Sequence, residues 1–264
     1  MKKWIKNLLI TACLLIAGIC IGFIVLTLVN RNNNSKIYDA LKENVKTTES
    51  DESLSEITET IEAVQKETSM ENGQTKIDFD ALQSVNPDIY AWIEIPSTKV
   101  DYPVVQSSTD DFYYLNHTVE GAVGYPGSIY TERKNHKDFS DFNTLIYGHD
   151  MLDGSMFHEL HNYEEAGFMS GNPYIYIYTP GEKLTYRIFA ASVYDDRHIL
   201  LSYDFGKTED RQAFLESLQT GDNRNTYDPE VSVTPEDKII TLSTCIGDEG
   251  DRRYLVAAVL QNEE

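Results

Sequence analysis

Cysteine is scarce in this chain. Three occur in 264 residues, too few for a disulfide framework. Cys13 and Cys20 fall in an apolar run, where packing is their ordinary use, so Cys245 stands alone in the remainder with no partner for an internal disulfide. Basic charge is also short: 22 Lys and Arg against 43 Asp and Glu give a net charge of -21. Phosphate binding needs a basic face, so nucleic acid is excluded as a partner. No repeat recurs at a fixed period, which excludes a solenoid or propeller array. Charge itself is absent from position 8 to position 29.

That uncharged run, Leu8 to Val29, is flanked by Lys2, Lys3 and Lys6 before it and Arg31 after it. At about 1.5 Å per residue it spans a hydrocarbon core of roughly 30 Å. A cleaved signal peptide shares the basic start. Its apolar region runs only about 7–15 residues, however, and Asn30-Arg31-Asn32-Asn33-Asn34 offers no small-x-small cleavage site. The expectation is an uncleaved transmembrane helix at 8–29. The lysine bias puts residues 1–7 in the cytoplasm and the rest outside the cell. A lone thiol in an oxidising compartment is a liability unless it is used.

Residues 30–76 are polar and charged, and they are expected to form a linker or stalk. Leu54, Ile57, Ile61 and Val64 mark a short amphipathic stripe within it. From Ile77 the texture changes to short β-branched and aromatic runs cut by Gly, Pro, Asn and Asp, so 77–264 is expected to be one domain with a substantial core. Phe79 to Leu82 suggests a short helix, turned at Asn86-Pro87-Asp88. Strands are expected at Ala91–Ile95, Val100–Gln106 (weakened by Pro103), Thr144–Tyr147, Lys238–Thr244 and Tyr254–Leu260. Tyr174–Thr179 and Leu184–Val193 flank Pro180-Gly181 as a hairpin. Asp153 to Leu160 reads as a capped helix ending near Gly167, and Thr208–Gln219 as a second with Thr208 at its cap. Many short strands with few helices suggest a mainly β fold, a closed or nearly closed β-barrel with peripheral helices.

Two segments carry candidate chemistry. In Ile239-Ile240-Thr241-Leu242-Ser243-Thr244-Cys245 the thiol falls at the end of a strand, beside an acidic loop, and Arg253 opens the next strand. A guanidinium keeps its charge and offers a fork of donors to a developing oxyanion. In Asn143-Thr144-Leu145-Ile146-Tyr147-Gly148-His149-Asp150 a strand stops at a glycine and a histidine follows. A cysteine nucleophile needs a base or a cation nearby, and histidine serves as either. Spacing alone does not join His149 to Cys245.

Thr241-Leu242-Ser243-Thr244-Cys245 with Arg253, and Tyr147-Gly148-His149, resemble the signature segments of sortases. Asn86-Pro87-Asp88-Ile89-Tyr90-Ala91-Trp92 and Val100-Asp101-Tyr102-Pro103-Val104-Val105-Gln106 are similar to the opening of class B members, as is a helix at 208–219 ahead of the cysteine strand. The resemblance implies an eight-stranded sortase-type β-barrel and a cysteine transpeptidase without cofactor or metal. It implies Cys245 as nucleophile, His149 as general acid/base and Arg253, rather than the adjacent Arg252, as stabiliser of the substrate carbonyl. Ser243 and Thr244 are secondary candidates for substrate binding. The implied partners are secreted proteins with a C-terminal sorting signal and an amine of a cell-wall precursor, met at the outer membrane face. A pilin-polymerising enzyme and a peptidase that only hydrolyses share these residues, and a tethered binding module with an incidental cysteine is a further alternative.

Other features have plainer readings. His158-Glu159-Leu160-His161 lacks the four-residue histidine spacing of a zinc helix and is expected to be helix surface. Tyr174, Tyr176 and Tyr178 share one strand face, core or groove. Asp248, Glu249 and Asp251 belong to a solvated loop, where one of them could orient His149. His117, His136 and His198 are assigned no role.

Overall fold

Pro180 and Gly181 turn the chain between two strands whose register runs from Tyr178↔Lys183 to Tyr174↔Arg187, and this hairpin starts one side of a barrel. The computed structural model of the protein describes residues 3–47, 76–219, 221–247 and 249–261. In chain order its elements are helix α1 (Lys3–Val45), strands β1 (Lys46–Thr47) and β2 (Lys76–Ile77), α2 (Phe79–Val85), β3 (Ile89–Glu94), β4 (Asp101–Val105), a 3-10 turn (Tyr113–Leu115), β5 (Ile129–Tyr130), β6 (Asn143–Tyr147), a 3-10 segment (His158–Glu164), α3 (Ala166–Gly171), β7 (Tyr174–Tyr178), β8 (Lys183–Asp195), α4 (Ile199–Ser202), α5 (Thr208–Ser217), β9 (Thr226–Tyr227), β10 (Ile239–Ile246) and β11 (Glu249–Leu260). The stripe Leu54 to Val64 and Asp248 lie outside the described residues.

Eight strands follow one another in the order β11-β10-β6-β5-β4-β3-β7-β8, and β8 pairs back onto β11 to close the barrel; β9 adds to β8. Pro103 fits within β4 because pairing to β5 begins only at Val104, so its missing N–H costs no ladder bond on that side.

The apolar run Tyr254 to Val259 does not alternate with polar residues because both of its faces are covered. Tyr254, Val256 and Ala258 join the barrel interior with Trp92, Ile240 and Leu242. Leu255, Ala257 and Val259 face a second core outside the barrel, with Ile239 and Leu145, under Phe214 and Leu215 of α5 and Leu218 at its C-cap. Cys245 continues the parity of Ile239 and so belongs to this outer face.

Four expectations change. The helix that contains residues 8–29 runs on to Val45, into the stretch assigned to a linker. Tyr38, Leu41 and Val45, three and four residues apart, are buried on the barrel. The Tyr38 hydroxyl donates to the Gly127 carbonyl, and its ring meets Tyr102 edge-on at 5.5 Å. Among the described residues, no helix is long and apolar enough to cross a membrane. The helix expected from Asp153 begins only at His158, because Gly154 (φ 81) and Met156 (φ 56) are left-handed and the Asp153 carboxylate caps Ser155 locally. The helix cap at α5 is Lys207, with Thr208 already inside. In β7 it is Ile175 and Ile177 that are buried. The tyrosines face outward, and the Lys183 ammonium sits 3.7 Å from the Tyr176 ring centre.

Candidate active site

Strand register brings the candidates together. β10 lies between β6, to which it is parallel, and β11, to which it is antiparallel. Ser243 pairs with Tyr147, and the Gly148 N–H donates to the Ser243 carbonyl at 3.1 Å. Two residues beyond that level on each strand are Cys245 and His149. On the other side Cys245 pairs directly with Arg253. Neighbouring strands are about 4.8 Å apart and directly opposed side chains share a face, so thiol and guanidinium share a rung, and His149 follows the end of β6 on the other side of β10. Gly148 is required by space. A Cβ there would lie 2.5 Å from Ile129 Cδ1 and 2.6 Å from Phe157 Cδ2.

His149, Cys245, Arg253, Ser243 and Thr244 all line one cavity of about 240 Å³. Its walls come from the loop at Phe112 and Leu115 on one side and from Arg197, His198 and Ile199 on the other. Cys245 is exposed. His149 is half-buried. Its Nε2 donates to the Leu115 carbonyl at 2.6 Å, and its ring lies 5.1 Å from that of Tyr125. A carbonyl only accepts, so Nε2 carries a proton. No carboxylate orients His149 among the described residues, and Asp150 turns instead to His158 at 2.6 Å.

The two adjacent arginines separate. Arg252 pairs with Asp222 at 3.1 Å and Glu249 at 3.6 Å, away from the cavity. Arg253 Nη1 donates to the carbonyls of Gly250 and Arg252, at 3.1 and 2.7 Å, and among the described residues its other N–H groups have no hydrogen-bond partner. Thr244 Oγ1 is buried without a partner. Glu249 is tied to Arg224 at 2.9 Å, and no acidic or histidine cluster among the described residues could hold a metal ion.

Two groups escape a sequence reading. Glu132 is 2% exposed on the cavity floor, with Oε1 3.0 Å from His198 Nε2. Burial first, and then the charge of Glu132, hold the Tyr147 hydroxyl protonated far above the usual phenol range; Tyr130 is raised the same way. Nothing in the local sequence of His198 marks this pairing, because its partner comes from a remote segment of the chain. His161, expected on a helix surface, instead donates from Nε2 to the carbonyl of Cys245 at 3.0 Å.

The sortase domain family matches residues 93–261. Sortase B of Listeria monocytogenes is 31% identical over 176 residues, covering 66% of this chain and 69% of that protein. The Staphylococcus aureus sortase B-substrate complex superposes with a TM-score of 0.62 at 30% identity, over 70% of this chain and 85% of that one. Sortase B from B. anthracis reaches a TM-score of 0.67 at 27% identity, over 89% of this chain and all of that one.

Proposed function

The chain belongs to the sortase family and is a cysteine transpeptidase of the sortase B type, and on that premise we propose the roles of its residues. Cys245 Sγ, its proton passed to His149, attacks the scissile backbone carbonyl of a sorting signal near the C-terminus of a secreted protein. Arg253 donates to the oxygen as it gains charge. His149 gives that proton to the departing amine as the C–N bond breaks, leaving an acyl-thioester on Cys245. An amine of a cell-wall precursor then attacks the thioester, its proton passes to His149, the C–S bond breaks, and His149 returns the proton to the sulfur. The Leu115 carbonyl holds the proton on Nε2, which leaves Nδ1 for the exchange. Ser243 and Thr244, which line the same cavity, help to hold the peptide there. The S. aureus sortase B-substrate complex, similar to this chain, supports a substrate held on this fold.

The observation that carries the reading is the lining of one cavity by His149, Cys245 and Arg253, the last two paired across β10 and β11. The test is a library of fluorogenic pentapeptides incubated with the chain, with and without added amines. Amine-dependent ligation product is expected, absent in C245A and H149A. Release of free acid at an equal rate with or without amine would identify a hydrolase, and turnover by C245A would remove the thiol from the mechanism.

The membrane reading belongs to the same proposal. Residues 8–29 anchor the protein, 1–7 stay in the cytoplasm, and 30–76 link the anchor to a catalytic domain at 77–264 on the outer face. Exposed Leu14 (67%), Ile19 (72%) and Leu26 (65%) on α1, together with the uncharged run and its preceding lysines, support it. Fractionation of cells producing the chain is expected to recover it with membranes resistant to alkaline wash. Deletion of 8–29 is expected to release it.

A further inference from the structure

The segment His158–Glu164 is a 3-10 helix, in which residues three apart eclipse one another. His158, His161 and Glu164 therefore form a row, which an α-helix would have splayed. The row faces the underside of the nucleophile's strand. His161 Nδ1 lies 2.9 Å from Glu164 Oε1 and Nε2 lies 3.0 Å from the Cys245 carbonyl oxygen. Its ring stacks on Tyr254 at 5.0 Å.

Both partners of His161 are acceptors only. A carbonyl oxygen and a carboxylate have no proton to give, so both contacts are made together only by the imidazolium, with a proton on each nitrogen. The charged groups that face it are Glu164 on its own segment and Asp150 from the loop after β6, whose Oδ2 is 3.7 Å from Nε2. His158 is occupied by Asp150 at 2.6 Å. From the other side come Tyr254 of β11 and the Arg224 carbonyl that its hydroxyl meets at 3.4 Å.

The bonded carbonyl stands where the sheet is weakest. The β10–β11 register shifts between Cys245 and Ile246, and a bulge leaves the local ladder disrupted. A peptide is planar and trans, so fixing the Cys245 C=O fixes the Ile246 N–H in the opposite direction. We propose that His161, as the imidazolium bridging Glu164 and the Cys245 carbonyl, is a positioning residue that locks the Cys245–Ile246 peptide in its reactive orientation. The inference rests on Cys245 being the nucleophile. With either of the two contacts removed the peptide is free to rotate within the bulge.

Ring-nitrogen mimicry tests it. Asn at 161 places its amide where Nδ1 was and restores the Glu164 contact. Gln reaches where Nε2 was and restores the contact to Cys245. In the full chain, H161N and H161L are expected to lower kcat by about 10- to 100-fold with little change in KM. H161Q is expected to recover most of the loss and to flatten the fall in kcat on the alkaline side. Nitrogen-15 NMR of the full chain is expected to find both His161 nitrogens protonated at neutral pH, a readout that needs no substrate. Equal kcat and equal pH profiles for H161N and H161Q overturn the proposal, as does a neutral His161 ring. C245A separates the two readings. If it is inactive and H161N is unimpaired, only the clamp fails; if it turns over, the nucleophile assignment fails with it.

Discussion

Arg252 and Arg253 are neighbours in sequence with opposite surroundings, and the contrast can be measured. Arg253 shares a cavity with Cys245, whereas Arg252 is tied to Asp222 and Glu249. R253A is expected to reduce kcat about 100- to 1000-fold, the scale for losing an oxyanion donor. R253K should recover only part of that, because an ammonium lacks the guanidinium fork. R252A should leave kcat/KM within about threefold of the parent and change stability by no more than about 1 kcal/mol, as befits an exposed pair. Steady-state kinetics on one fluorogenic peptide checks all three. At this scale the sequence named Cys245, His149 and Arg253, which line one cavity, because a strand that ends in a thiol, a Gly-His strand end and an arginine opening the next strand are local patterns. Glu132 with His198, and His161 under Cys245, were not legible. Each depends on a partner from a remote segment, and a histidine without its partner has no signature.

The strands were legible where their patterns were strong: the hairpin around Pro180-Gly181, and the apolar runs that became β10 and β11. The segment after Asp153 departs from its helical pattern because left-handed backbone at Met156 is invisible in a residue that normally avoids it. The departure matters, since 3-10 geometry is what aligns His158, His161 and Glu164. Helix α5 was legible by its apolar spacing, and its purpose followed only from the second core. Phe214 is fully buried there against Tyr194, Tyr203 and Phe205. F214A is expected to cost about 3–5 kcal/mol, the range for emptying an aromatic site. Urea denaturation should find the midpoint lowered with an unchanged slope.

Across the whole molecule, acidic charge is held by a few basic bridges. Asp222 joins Arg224 and Arg252, tying the loop before β9 to β11. Its hydrogen bond from Arg224 lowers its pKa from 3.8 to about 2. A carboxylate with a depressed folded-state pKa stabilises the protein above its unfolded value, and that stability is lost as pH falls through the folded one. The contribution of Asp222 is therefore complete above about pH 4 and gone below about pH 2. D222N is expected to be less stable than the parent at pH 7 and to approach it as pH falls through this window, measured by denaturant midpoints at stepped pH. Barrel closure was legible only as a class of fold, since the β8–β11 pairing joins residues that no local pattern links.

The β10–β11 hairpin closes the barrel and also carries the thiol and the guanidinium. β6, with His149 at its end, must wait for a partner strand made almost a hundred residues later. Synthesis proceeds from the N-terminus, so the sheet stays open while most of the polypeptide is already made. A nascent molecule arrested partway holds His149 at a strand end without its neighbours, and the cylinder shuts only when the final hairpin arrives.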